Sequence, residues 1–237
     1  MSDELSRRTF IRSTVAAAGA AVVPGAYTRI AGAGVRDAAA GQSGAAPSAV
    51  SDEQERFITE LRSASVNAAS TADSQAAVAE YLRGAVTGSA KRLAFLGAPS
   101  AAGIHPLLRS PTLTVLNVVW SPRMVLMPHN HNMWATIAVY GGREDNIIWK
   151  RTGDQIAAER AASLMEREVF NLPDDVIHSV VNPISQYTGA IHVYGGDFFA
   201  PGRSEWDPQT LRERPWELET AMKTFREASA CYEKSHG

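Results

Sequence analysis

The sequence contains little cysteine and no run of one charge, and both absences narrow what the protein can do. Its single cysteine, Cys231, excludes an internal disulfide and any cysteine-rich metal site. Its 23 Lys and Arg against 25 Asp and Glu give a formal net charge of −2, so we expect no nucleic-acid partner. The 237 residues, 45% of them hydrophobic, suffice for one soluble barrel-sized domain with flanking helices.

The N-terminus lacks an apolar run long enough to cross a membrane. Its alanine-rich stretch, residues 14–23, is short and ends before Pro24, so we expect no stable membrane span. The preceding Ser-Arg-Arg-Thr-Phe-Ile at residues 6–11 resembles a twin-arginine signal, with a chance Arg-Arg pair as the alternative. The resemblance implies export by the twin-arginine machinery to the periplasm or beyond, with residues 1–48 as signal and flexible linker.

Helices and then a series of short strands are predicted along the rest of the chain. A capping box at residues 51–54 and apolar spacing predict an N-terminal helix, followed by others at 73–85 and 215–234. Strands are predicted at 112–120, 123–127, 134–140, 146–151, 165–172, 176–181 and 188–194, separated by turn signals. Regular short strands favour a sandwich or barrel. The expected organisation is a helical segment at 49–110, a barrel at 111–200 and a helical extension at 201–237.

Four of the six histidines form a pattern typical of a metal site. His129 and His131 are two residues apart, so on a strand both side chains point to the same face. A third histidine from another strand, His178 or His192, can complete a three-nitrogen face around one ion. Such a face leaves neighbouring coordination positions open for substrate or oxygen, as a catalytic metal requires.

Two segments around these histidines resemble the motifs of the cupin family. The first keeps the His-x-His pair and a trailing glycine, Gly141 or Gly142, but holds Ala135 and Thr136 where the family has a glutamate. The second, Pro-x-x-x-x-His-x-x-x-Asn at residues 173–182, is nearly complete. The resemblance implies a mainly β fold, the cupin double-stranded β-helix or jelly-roll barrel. The metal ligands that it implies are His129, His131 and His178.

A three-histidine site without the glutamate is similar to the thiol dioxygenases among cupins, the cysteine dioxygenase group. Trp120, nine residues before the first histidine, and the pair His192 and Tyr194 match further positions of that group, across about residues 109–199. In that group the histidine and tyrosine belong to a Ser-His-Tyr relay. Here Ala190 occupies the serine place, so the relay is truncated.

The resemblance implies a mononuclear non-haem iron enzyme that uses Fe(II) and O2 to convert a small thiol to a sulfinate. His192 and Tyr194 would orient or protonate the bound oxygen. Arg109, before the first barrel strand, would bind a substrate carboxylate, with Arg123 and Arg143 as competitors for that role. The sequence leaves open the identity of the thiol, the metal and the oligomeric state.

Two other classes of function stay open on the sequence. One is another metal-dependent cupin, such as a carbon-oxidising dioxygenase or an isomerase. The other is a cupin that binds a ligand without turning it over. Metal content, oxygen uptake and sulfinate formation on a panel of thiols separate the three classes.

Overall fold

Two antiparallel sheets form the centre of the computed structural model, which describes residues 49–88 and 92–236. The strands are β1 (Gly103–Arg109), β2 (Thr114–Trp120), β3 (Val125–Asn130), β4 (Ala135–Gly141), β5 (Arg143–Thr152), β6 (Gln155–Met165), β7 (Val169–Leu172), β8 (Ile177–Val181), β9 (Thr188–Tyr194), β10 (Ser204–Trp206) and β11 (Glu213–Pro215). One sheet has the order β1-β2-β9-β4-β7 and the other β11-β10-β3-β8-β5-β6. The export signal predicted at residues 1–48 lies outside the described residues.

The strand order is that of a jelly roll, the double-stranded β-helix. From β2 to β9 the chain crosses between the two sheets at every connection except the β5-β6 hairpin. Inward-facing apolar side chains of both sheets, among them Leu116, Ile137 and Val180, fill the space between them. The predicted mainly β jelly-roll barrel is therefore confirmed.

Helices cover the barrel on the N-terminal and C-terminal sides, as predicted. Helices α1 (Ala49–Val66) and α2 (Thr71–Thr87) bury Phe57 and Leu82 against Val193 on the outer face of the first sheet. Helix α3 (Leu218–His236) places Phe225 on the ring of Trp120, with centroids 5.2 Å apart. Within the described ranges, no helix is both long enough and apolar enough to cross a membrane.

Several strands lie where the sequence predicted helix or loop, because sheet pairing overrides weak local preference. Strand β6 is not predicted apart from its last residue, Met165: its alanines and charged residues are poor strand formers, yet it pairs with β5 along its length. Strand β1 lies in the segment expected to be helical, and its Pro106 sits at a register shift, where a missing N–H is tolerated. Strands β10 and β11 occupy part of the predicted C-terminal helical extension.

Two local irregularities position the inner residues. Strand β3 carries a bulge between Leu126 and His129, and beyond it His129 pairs with His178 of β8. Between β4 and β5, Gly142 has φ +87°, and a Cβ there would lie 2.4 Å from Oγ1 of Thr188. The chain can therefore pass from one sheet to the other at this point only with glycine.

Candidate metal centre

The structure brings the three histidines predicted as metal ligands into one buried cluster. His129 lies on β3 opposite His178 on β8, and His131 follows the end of β3. All three side chains are buried. The ring centroids of His178 lie 4.6 Å from those of His129 and 4.8 Å from those of His131. Three imidazoles, one each from β3 and β8 and one from the residue that follows β3, therefore meet inside the barrel.

The spacing of the imidazole nitrogens fits a single ion. One nitrogen from each of the three rings lies within 4.8 Å of the other two. The Nε2 atoms of His131 and His178 are 3.2 Å apart. Two nitrogens at about 2.1 Å from one ion are about 3.0 Å apart at a right angle and about 3.4 Å apart at a tetrahedral angle. The observed distance lies between these limits, so the donor set fits a transition-metal ion.

Two of the candidate ligands have an outward ring nitrogen that is hydrogen-bonded to an acceptor. His129 donates from Nδ1 to the carbonyl oxygen of Met127 at 3.0 Å, and His178 donates from Nδ1 to Oδ1 of Asn146 at 2.7 Å. A neutral imidazole that donates from Nδ1 has its lone pair on Nε2. Both rings therefore present Nε2 to the cluster, as metal-ligating histidines do.

Burial keeps the three rings in the neutral form that binds metals. Burial lowers the pKa of His129 to about 3, and the hydrogen bond to Met127 opposes this shift only in part. Burial, followed by the charges of the neighbouring histidines, holds the pKa of His131 and of His178 well below its usual range. At neutral pH the cluster therefore carries unprotonated ring nitrogens.

A buried glutamate that the sequence did not single out joins the site to its surroundings. Glu144, fully buried at the start of β5, accepts from Nε1 of Trp120 at 2.7 Å and from Nε2 of His192 at 3.1 Å. Its other oxygen accepts from Nδ2 of Asn146 at 3.0 Å. Nothing in the local sequence distinguishes Glu144 from a solvated strand residue, because its partners come from other strands.

His192 and Tyr194 lie on the same face of β9 and are both buried. Nδ1 of His192 and the hydroxyl oxygen of Tyr194 are 3.2 Å apart. The tyrosine ring packs edge-on against His131, with centroids 4.9 Å apart. Burial raises the pKa of Tyr194, so its phenol stays protonated beside the cluster. The pair is therefore placed next to the candidate ligands, while its role stays a prediction.

The three arginines that the sequence offers as substrate ligands have their hydrogen-bond partners away from the histidine cluster. Arg109 is largely exposed and forms a two-bond pair with Asp197, both bonds at 2.9 Å. Arg123 is hydrogen-bonded to the carbonyl oxygen of Pro183, and Arg143 pairs with Asp145. None of the three contacts the histidine cluster among the interactions of the described residues.

Arg203, which the sequence did not single out, is the arginine that lies beside the cluster. Only 6% of it is exposed, and its Cζ lies 4.1 Å from the ring centroid of Phe198 and 4.6 Å from that of Trp216. Its positive charge contributes to the lowered pKa of His129 and His131. Burial lowers its own pKa to about 10, which leaves the guanidinium charged at neutral pH.

The polar atoms of Arg203 are poorly satisfied within the described part of the chain. Its Nη1 reaches the carbonyl oxygen of Asn130 at 3.4 Å, and its Nε has no hydrogen-bond partner there. No carboxylate of residues 49–88 and 92–236 forms an ion pair with it. Nδ1 of His131 also lacks a partner among these residues. Unpaired buried donors and charges are costly, so the surroundings of Arg203 are suited to an anionic ligand.

The strand order is that of a double-stranded β-helix, the fold class that the resemblance to cupin motifs implies. No family model and no curated protein matches the sequence. Among solved structures, a protein from Bacillus halodurans aligns over 45% of this chain and 78% of its own, at 14% identity and a TM-score of 0.38. An RmlC-like cupin from Methanocaldococcus jannaschii aligns over 43% and 85%, at 12% identity and a TM-score of 0.36.

A variant of oxalate decarboxylase from Bacillus subtilis is similar at the same low level. The alignment has 16% identity and a TM-score of 0.33, and it covers 38% of this chain. The matched part spans 23% of the decarboxylase. Such likenesses say nothing about what this chain does, and the jelly-roll fold is established by the strand order itself.

Proposed function

We propose that this protein is a mononuclear non-haem iron dioxygenase that converts a small anionic thiol and O2 to a sulfinate. The observation that carries the proposal is the donor set. Three buried, neutral imidazoles converge, and no carboxylate joins them among the described residues. Neutral ligands leave a bound Fe(II) with its full positive charge, which favours a thiolate over a thiol as a further ligand.

The reaction balances without an external reductant. Bound iron would supply the redox-active position at which thiolate and dioxygen meet. In RSH + O2 → RSO2H, the sulfur atom gives up four electrons, both oxygen atoms form bonds to it, and the thiol proton ends on the sulfinic acid. The protein therefore needs to bind and orient two reactants and to manage one proton.

We infer that Tyr194 and His192 hold that proton. The hydroxyl of Tyr194 lies beside the ring of His131 and within hydrogen-bond distance of His192. Because the phenol stays protonated, it can donate to an oxygen atom held at the cluster. Nδ1 of His192 lies within hydrogen-bond distance of the same hydroxyl, so His192 and the oxygen atom would be alternative acceptors for its one proton. The two residues would orient oxygen and would not serve as further metal ligands.

Arg203 supports the choice of an anionic thiol. A buried guanidinium without a carboxylate partner costs several kcal/mol, and a bound carboxylate would offset much of that cost. The guanidinium is held between Phe198 and Trp216, and Trp216 in turn packs against His129 at a centroid distance of 5.1 Å. A thiol whose sulfur reached the cluster could therefore place its carboxylate at Arg203.

Aerobic turnover of iron-loaded protein on a thiol panel tests the proposal. We expect oxygen uptake and an equal amount of sulfinate, detected by mass, with 3-mercaptopropionate or cysteine, and little with cysteamine, which lacks the carboxylate. Oxygen uptake without sulfinate would instead identify a carbon-oxidising cupin. Full iron occupancy with no oxygen uptake on any thiol would identify a ligand-binding cupin.

A further inference from the structure

We propose that Glu144 is a positioning residue that fixes the tautomer of the metal ligand His178 and the orientation of the relay residue His192 at the same time. The inference rests on the three-histidine site of the proposed function. Its evidence is the direction of the hydrogen bonds inside the barrel, which are set by groups that can only donate or only accept.

Three N–H groups converge on the two oxygens of Glu144. The indole N–H of Trp120 can only donate, and it shares one oxygen with Nε2 of His192. The other oxygen takes Nδ2 of Asn146. Glu144 is fully buried, and both of its oxygens act as acceptors in this arrangement.

The hydrogen bonds that run from Glu144 through Asn146 determine the tautomer of His178. Because Glu144 accepts, Asn146 must turn its NH2 group towards it and its carbonyl Oδ1 towards His178. That oxygen then accepts the Nδ1 proton of His178 at 2.7 Å. The proton is fixed on Nδ1, so Nε2 carries the lone pair that a metal needs.

The hydrogen bond from His192 to Glu144 determines which ring nitrogen of His192 faces Tyr194. With a proton on Nε2 bonded to Glu144, the Nδ1 lone pair of His192 faces the hydroxyl of Tyr194 at 3.2 Å. The position of Glu144 is itself held, because Trp120 is stacked on Phe225 of α3. One side chain therefore connects a candidate ligand, the relay pair and the C-terminal helix.

The substitution Glu144→Gln should reverse the direction of the hydrogen bonds that connect residue 144, Asn146 and His178. Trp120 can only donate, so the new amide must keep its oxygen towards Trp120 and point its NH2 at Asn146. Asn146 then turns over, and its own NH2 faces His178. His178 must accept at Nδ1 and carry its proton on Nε2, where the metal would bind.

A second substitution should restore the site. In Glu144→Gln with Asn146→Asp, the amide NH2 donates to the new aspartate, and the aspartate accepts the Nδ1 proton of His178. The net charge equals that of the wild type. The exchange of two side chains therefore separates hydrogen-bond direction from the loss of a charge.

The test is a measurement of imidazole tautomers by 15N NMR on metal-free protein, paired with a titration of metal affinity. We expect His178 as the Nδ1–H tautomer in the wild type, as the Nε2–H tautomer in Glu144→Gln, and as Nδ1–H again in the double variant. Metal affinity should fall roughly 10- to 100-fold in the single variant and return in the double variant. His129, which donates to a backbone carbonyl, should stay Nδ1–H throughout.

Asp145→Asn is the matched control, because Asp145 is the adjacent carboxylate and pairs with Arg143 outside the network. This substitution should leave the tautomer of His178 and the metal affinity unchanged. An Nδ1–H His178 with wild-type affinity in Glu144→Gln would overturn the inference. If that variant does not fold, the double variant decides: a folded protein with Nδ1–H His178 and restored affinity supports the inference, and any other result overturns it. If the wild type binds no metal, the proposed function is refuted. The tautomer of His178, measured by NMR, then still tests the role of Glu144.

Discussion

Two polar regions meet at the histidine cluster, and they differ in how completely their hydrogen bonds are satisfied. On the β5 side, Glu144, Asn146, His178 and His192 form a closed network in which every ring nitrogen towards the network has a partner. On the β10 side, Nε of Arg203 has no partner among the described residues. The closed side is suited to fixing geometry, and the open side to receiving a ligand.

Energetics explain why the open side stands out. A buried donor without a partner costs about 1–3 kcal/mol, and an unpaired buried charge costs more. Barrel interiors can avoid this cost with apolar side chains of similar size. A charged residue that stays buried and unpaired is therefore a sign that another molecule supplies the missing acceptor.

Removing a ligand from the closed side should have the largest effect. We expect His178→Ala to lose metal binding and turnover together, because two imidazoles leave the ion without its third nitrogen. Metal analysis after dialysis and an oxygen-uptake assay measure the two properties. The exposed His105→Ala is the control and should keep both. Stoichiometric iron in His178→Ala would contradict the ligand assignment.

A substitution of Tyr194, which lies between the two regions, tests the proposed proton path. Tyr194→Phe should keep metal affinity and lose turnover roughly 100-fold or more, because only the hydroxyl beside His192 is removed. Steady-state kinetics with a matched iron content give the result. A variant with unchanged kcat would remove Tyr194 from the proposed proton path.

A substitution of Arg203 tests whether the open side binds the anionic group of the substrate. Arg203→Gln should raise KM for an anionic thiol on the order of 10- to 100-fold and change kcat less, because the lost contact lies away from the sulfur. Without ligand, the variant should be as stable as the wild type or more stable, since an unpaired buried charge is gone. Thermal unfolding and kinetics on the same preparation measure both. A loss of stability with no change in KM would make Arg203 a structural residue.

Acid should destabilise the metal-free protein through the histidine cluster itself. Burial lowers the pKa of His129 to about 3, whereas the unfolded chain protonates this ring near pH 6.5. The unfolded state therefore binds more protons below pH 6.5. The stabilisation is complete above that pH and is lost as the pH falls towards 3, by up to about 1.4 kcal/mol per pH unit for one histidine. Denaturant unfolding between pH 7 and pH 5 measures it, and a flat profile would contradict the depressed pKa.

The smallest effect is expected at the exposed arginine that the sequence favoured. Arg109 is bonded to Asp197 and lies over Phe199 at 4.9 Å, and exposed ion pairs contribute little to stability. Arg109→Ala should therefore change KM less than Arg203→Gln does. The opposite order would return the role of carboxylate ligand to Arg109.

The sequence predicted those parts of the molecule that depend on neighbours along the chain. Strand β9 was predicted at its observed bounds, and the two-residue spacing of His129 and His131 pointed to a shared face. Strand β6 was missed because its residues favour a strand only when β5 is beside them. Glu144 and Arg203 were missed for a related reason: burial and hydrogen-bond partners depend on strand register and on the closing segment after β9. Neither leaves a periodic signal in the sequence.

X-ray absorption at the iron edge of anaerobically loaded protein tests the central claim most directly, because it counts the imidazole ligands of the bound ion. We expect one iron per chain, with scattering from three imidazole rings and no protein carboxylate. Iron bound through carboxylate oxygens, or held by fewer than three imidazoles, would contradict a site built from His129, His131 and His178.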